Sequence, residues 1–434
     1  MVGEFSDAGD RRSLLWRDRD FRLFWTGETI NRFGTAISGV AIPLIAISEL
    51  DASTFEVGVL TAAAWAPWLL IGLPVGAWID RRHRRPLMIG TSVISLLLLA
   101  AVPVAASAGL LSVQLLLAVA LLTGASSVVF QTAYGAYLPT LLDPADHAEG
   151  NAKLQGSASG AQIVGLGCGG LIVQFAGATN ALYVDAATFA LAALCLTAIR
   201  FRERHPTTAR QPGAIREGIR LVAHDVWLRT LTLFGAISNL ALMGYQAIVV
   251  VFLVRTVGLT PGTVGVLVAA AASGGVVGAF VGRRLAARFG NARALLLCEL
   301  GLPTLALLIP LAQLSPALYV IGGFGVGAGV VGGNVVKSTF LQSYCPPDLR
   351  GRLSATASFV NYGTIPLGAL LGGSLASWLG IEAALWITTA GVPLAASVLY
   401  FSPIRRRRDL PTDQMSRNVS ICAPKELSRV ASSS

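Results

Sequence analysis

The stretch RDFRLFWTGETINRFG, residues 19–34, sets Glu28 and Arg32 four residues apart, and no other charged residue occurs between Arg22 and Glu49. On a helix this spacing puts both side chains on one face, with Asn31 and Thr35 beside them. In a low-dielectric interior the arginine compensates the carboxylate, and a proton can take the arginine's place. That exchange is the chemistry of ion coupling, and Glu28 is the first candidate carrier. Three more ionisable residues stand isolated in apolar runs: Asp185, Glu299 and Lys337. Such groups are costly in hydrocarbon and read first as functional. Each also has a plainer reading. Asp185 is near enough to the end of its run to reach interfacial water. Glu299 can pair with neighbouring arginines. Lys337 can extend its stem to the headgroups.

Other chemistries are excluded by pattern. GGNVVKST (332–339) lacks the glycine before lysine that a phosphate-binding loop requires, so ATP hydrolysis in this chain is not expected. No HExxH, CxxC or GxSxG arrangement occurs. The five cysteines are scattered and read as small apolar residues, so neither a metal nor a cofactor is expected. An ion gradient remains as the driving force. One charge crossing 100 mV is worth about 2.3 kcal/mol, roughly a 50-fold substrate gradient.

The elements that must position these groups are membrane spans. The chain has 434 residues, 54% of them hydrophobic and only 13% charged, against about 25% charged in soluble domains. Mean hydropathy is +0.65. A bilayer core needs roughly 20 apolar residues per helix. Twelve spans follow, at about 21–47, 57–79, 87–107, 110–138, 154–176, 181–199, 230–254, 260–282, 294–312, 316–343, 353–379 and 383–402. The expected fold is an all-α membrane protein of twelve transmembrane helices in two six-helix bundles, at 21–200 and 230–404. The N-terminal tail covers 1–20. The linker 201–229 carries Ile215, Ile219, Val222 and Val226 at helical spacing, an amphipathic helix on the membrane surface. A basic tail, 405–434, is expected to be disordered.

The net charge of +10 does not point to nucleic acid, because 30 of the 33 basic residues are arginines and they flank the spans. They crowd the even-numbered connections and both tails, while the odd-numbered connections carry only Arg255. This bias places both termini in the cytoplasm of a multi-pass inner (plasma) membrane protein. The polar N-terminus leads us to expect no cleavable signal peptide.

One loop departs from a pure topology signal. GAWIDRRHRRP (76–86) mixes four arginines with Asp80, an acid that works against that signal. A weaker copy, RRLAARFGNARALL, follows span eight, 207 residues later. Likewise DHAEGNA (146–152) before span five is echoed by DLRGRLSA (348–355) before span eleven. Six spans repeated in one orientation are the pattern of a two-bundle transporter.

With these residues in view, the chain resembles the major facilitator superfamily. Gly76, Asp80, Arg81, Arg84 and Arg85 match that superfamily's loop signature G-x-x-x-D-R-x-G-R-R, with His83 in place of the glycine. IVGLGCGG (163–170) resembles its exporter signature G-P-x-x-G-G, with Leu166 for the proline. RDFRLFWTGETINRFG, PLGALLGGSLASWLG and DLRGRLSA are similar to the exporter branch that includes macrolide efflux proteins and the enterobactin exporter. The resemblance covers roughly 15–404. It implies that the 76–85 cluster is a conformational gate, with Asp80 facing the start of span eleven and the arginines engaging Asp80 or lipid phosphates. It also implies that spans one, four, seven and ten line a cavity, which makes Asn31, Gln131, Tyr134, Asn239, Tyr245, Gln246 and Asn334 substrate candidates.

The expected function is secondary transport: proton-coupled export of small, largely apolar organic molecules by alternating access. The expected partners are that substrate, H+ and the lipid bilayer, with the chain a monomer. Uptake of a small metabolite and a non-transporting receptor or scaffold on the same fold are the alternatives. A polytopic membrane enzyme would show paired His or Asp residues near one interface, and none are seen.

Overall fold

The computed structural model describes residues 13–201, 203, 220–345 and 347–411, which form twelve long helical rods with no strand among them. The first six are α1 (Arg19–Ser48), α2 (Thr54–Leu70 continued by Gly72–Ile79), α3 (Arg84–Ser107), α4 (Val113–Leu141), α5 (His147–Ala176) and α6 (Ala178–Ala198). The others are α7 (Val226–Val251), α8 (Pro261–Ala272 continued by Gly274–Phe289), α9 (Asn291–Gln313), α10 (Pro316–Tyr344), α11 (Pro347–Leu379) and α12 (Ile381–Ala395 continued by Ser397–Tyr400). Ten described helices are individually long and apolar enough to cross a bilayer.

The rods follow the twelve expected spans, with instructive differences at their ends. Helix α5 starts at His147 rather than 154, because its first two turns are polar and hydropathy does not see them. Helix α2 breaks at Ile71, between Pro67 and Pro74; each proline lacks the N–H that would close the preceding turn. The linker helix expected from Ile215 lies mostly outside the described residues; only 220–224 are seen as helix before α7, with Val222 buried.

The helices begin where side chains satisfy their first N–H groups. Asp18 caps α1, accepting from the Phe21 N–H at 2.9 Å. Ser53 and Glu56 form a reciprocal capping box on α2. Asp225 caps α7 through the N–H groups of Trp227 and Leu228, both at 3.0 Å, while Tyr344 donates to its second oxygen at 2.6 Å.

The chain divides into two compact units, 1–210 with 253–269 and 211–252 with 270–434. In the first, Gly165 and Gly169 of α5 lie against the backbone of Phe33 and Ile37 on α1. In the second, Gly368 and Gly372 of α11 lie against the backbone of Leu240 and Gly244 on α7. These contacts let helix backbones approach where dispersion must substitute for a hydrophobic drive. The glycines are offset by 203 residues and their partners by 207, so the repeat read in the loops extends into the packing.

The basic segment after α12 does not leave the surface at once. Pro403–Arg406 form a 3₁₀ turn, Ile404 and Leu410 are buried in the second unit's core, and the described chain ends at 411. The rest of the expected tail lies outside the described residues.

Candidate functional site

The α1 pair forms as its spacing requires. Arg32 Nε donates to Glu28 Oε1 at 2.6 Å, and Arg32 Nη2 donates to Gln131 Oε1 of α4 at 3.1 Å. Glu28 is almost fully buried, whereas a third of the Arg32 side chain is exposed (34%). Glu28 Oε2 and Asn31 Oδ1 are buried without a hydrogen-bond partner among the described residues. Tyr134 stacks on Phe24, ring centroids 5.3 Å apart, beside this polar stripe.

Asp185 is not in that group. It sits on α6 and receives hydrogen bonds from Ser38 of α1 and, at 3.1 Å, from Thr188. Ser38 is about 15 Å along α1 from Glu28 at 1.5 Å per residue. Asp185 is 1% exposed, so it does not reach water as one sequence reading allowed. Gly34 makes room for it: a methyl group there would collide with Asp185 and Thr188.

Glu299 and Lys337, treated separately in the sequence, form one ion pair at 2.8 Å between α9 and α10. Its partner is therefore Lys337 rather than the arginines of the α8–α9 loop, and Lys337 does not simply extend to the headgroups. Two features of the backbone serve this pair. Glu299 lies in a π-helical turn, Leu297–Gly301, a local widening that often accompanies functional sites. Gly333 faces the Glu299 carboxylate where any side chain would clash. Lys337 Nζ also lies 5.0 Å from the centre of the Phe234 ring, a cation–π contact from α7.

In the signature loop, Gly76 accepts the Asp80 N–H at 3.2 Å as the last turn of α2 closes. Asp80 makes no ion pair among the described residues. Arg81 is exposed, and Arg82 lies over Trp78. The partner of Arg84 is Glu203, at 3.5 Å. Glu203 also accepts the backbone N–H of Arg84 at 2.7 Å and of Arg85 at 3.3 Å, so it caps α3 from 119 residues away. Arg85 donates to the last carbonyls of α6, Leu196 at 2.8 Å and Thr197 at 2.7 Å. Asp20 accepts from the N–H groups of Arg200 and Phe201 just beyond. The loop is thereby tied to the exit of α6. Glu203 was missed in the sequence because RFRERHP reads as a polar linker; the one available signal was an acid at a position the repeat shares with Asp409.

The remaining cavity candidates separate by exposure. Asn239 donates to the Asn361 carbonyl at 3.1 Å, linking α7 to α11. Tyr245 and Asn31 are packed, whereas Gln246 and Asn334 are exposed. The described residues hold no cluster of three or more potential metal ligands.

Comparison with known proteins agrees with this architecture. The chain is 27% identical over 393 residues to the multidrug efflux pump Tap of Mycolicibacterium fortuitum, covering 87% of this chain and 94% of that one. Identity to macrolide efflux protein A of Streptococcus pyogenes is 20%, over 90% of this chain and 97% of that one. Among solved structures, an inward-facing bacterial homologue of the iron transporter ferroportin matches with a TM-score of 0.71 at 17% identity, covering 90% of this chain and 99% of that one. The nucleoside transporter NupG matches with a TM-score of 0.69 at 11% identity, covering 88% of this chain and 99% of that one, and a single-residue mutant of it matches with 0.71 at 12% identity, covering 87% and 99%. At such identities these structures share the fold alone. The family model described as transmembrane secretion effector matches residues 15–428, and the chain belongs to that family, within the exporter branch of the major facilitator superfamily.

Proposed function

We propose that this protein exports small, largely apolar organic molecules across the plasma membrane by alternating access, driven by protons moving inward. The observation that carries the coupling is the Glu28–Arg32–Gln131 chain across α1 and α4: a buried carboxylate with one oxygen free and a partly exposed cation beside it. Changing the Arg32 contact lets Glu28 alternate between arginine and proton. Relatives named as a multidrug efflux pump and a macrolide efflux protein support export of drug-like substrates. Within this reading the chain works as a monomer with both termini cytoplasmic, and Asp80 with the loop arginines acts in the inner gate. In this reading Gln131 and Tyr134 of the first unit, and Gln246 and Asn334 of the second, are the residues that contact substrate. Glu299–Lys337 is the second candidate for coupling.

The test is Glu28→Gln in membrane vesicles loaded with a fluorescent drug. Uphill export should fail while downhill exchange survives. A variant that still builds a gradient collapsed by an uncoupler would remove Glu28 as carrier and leave Asp185 and Glu299.

A further inference from the structure

The second unit carries an arginine surface that the transport reading does not use. Residues 405–408 are four consecutive arginines held between two buried anchors, Ile404 and Leu410. The strap is fixed to the start of α9: the Asn291 N–H donates to Asp409 Oδ1 at 2.9 Å, and the Ala292 N–H donates to the Arg408 carbonyl at 3.1 Å. Gly290 permits this approach. Its φ is +88°, and a side chain there would strike Arg408 and Asp409. The strap is thereby fixed at the junction of α8 and α9, where Arg288 lies in the last turn of α8 and Arg293 in the first turn of α9; Arg283 and Arg284 stand about two turns before the junction on α8, and all eight arginines are exposed.

None of the eight forms an ion pair among the described residues. Asp409, the acid within the strap, already accepts a backbone N–H as a helix cap. Three of the arginines are instead held on aromatic faces: Arg405 lies 5.1 Å from the centre of the Tyr400 ring, Arg407 5.4 Å from that of Trp227 and Arg288 5.5 Å from that of Phe289. A stacked guanidinium keeps its N–H edge available for an anion. Phe401, 81% exposed, and Tyr400 sit at the end of membrane helix α12, next to the strap.

From this juxtaposition we propose that the strap and the α8–α9 junction form a binding site for an anionic phospholipid, with the headgroup phosphate on the arginines and the acyl chains along the end of α12. The exposed aromatic surface beside the arginines favours a lipid over free phosphate, since an inorganic ion would leave it uncovered. A plain topology signal needs arginines only in number; it needs no buried anchors, no helix cap and no stacked guanidinium groups. The cytoplasmic orientation proposed above enters only in assigning the site to the inner leaflet.

The test uses the full chain purified in neutral detergent, with the thermal midpoint titrated against phosphatidylglycerol, phosphatidylcholine or inorganic phosphate. Phosphatidylglycerol should bind at least about tenfold more tightly than phosphatidylcholine, and the preference should shrink between about 0.1 M and 1 M salt. The R405Q/R406Q/R407Q/R408Q variant keeps Ile404, Asp409 and Leu410 and should lose most of that preference; R81Q/R82Q should keep it. Equal binding of the two lipids, an equal shift with inorganic phosphate, or full preference in the quadruple variant would overturn the site. If that variant does not fold, the wild-type comparison of the three ligands still decides. Binding is read without transport, so a failure of the export reading leaves this result standing.

Discussion

The two units repeat the same backbone solutions but treat charge differently. Asp18 caps α1 and Asp225 caps α7, with Phe21 and Leu228 as equivalent donors. A carboxylate just beyond the sixth helix of each half caps the third: Glu203 on α3 and Asp409 on α9. Around these shared caps the side chains diverge. In the first unit Arg84 meets Glu203, Arg17 meets Asp146, and Arg85 is spent on carbonyls. In the second, the arginines beside Asp409 have no acid partner among the described residues. The buried acids differ too: Glu28 is held within one helix, Glu299 across two. Backbone N–H groups must be satisfied wherever the fold repeats. Charge pairs carry no such obligation, so they are free to take separate tasks.

The largest test of this contrast is Lys337→Met. It leaves Glu299 buried without its cation and should cost about 3–5 kcal/mol in thermal or denaturant unfolding, with Glu299→Leu in the same chain recovering most of it. Arg32→Met should cost less, because the exposed side of Arg32 lets water follow it towards Glu28. Equal losses would mean that the within-helix and between-helix pairs are equivalent after all.

The packing glycines should show the opposite, a symmetric response. Gly165→Leu and Gly368→Leu each force a side chain onto the backbone of the facing helix and should each lose about 1–3 kcal/mol. A large difference between them would break the structural repeat.

The caps give the finest comparison. Glu203→Ala and Asp409→Ala should each cost about 0.5–2 kcal/mol, but only Glu203→Ala should also expose the signature loop to faster hydrogen exchange at Arg84 and Arg85. His83→Gly should fall within about 0.5 kcal/mol of the parent, since His83 has φ −66° and packs no turn that demands glycine.

The sequence by itself determined the helices and their number. Apolar length, arginine bias and the Glu28/Arg32 spacing are local properties, written within one or two turns of chain. The twofold repeat was also legible, because the loop after α2 and the loop after α8 keep recognisable residues. Only the tertiary structure decided who meets whom between helices. Glu299 and Lys337 stand 38 residues apart on different rods, and hydropathy cannot say which faces of two apolar helices will meet. Glu203 reads as linker until α6 delivers it to the start of α3. The arginines after α12 read as a loose tail until Ile404 and Leu410 are seen in the core. Each outcome rests on side chains meeting across helices, where burial and shape set the partner and sequence spacing does not.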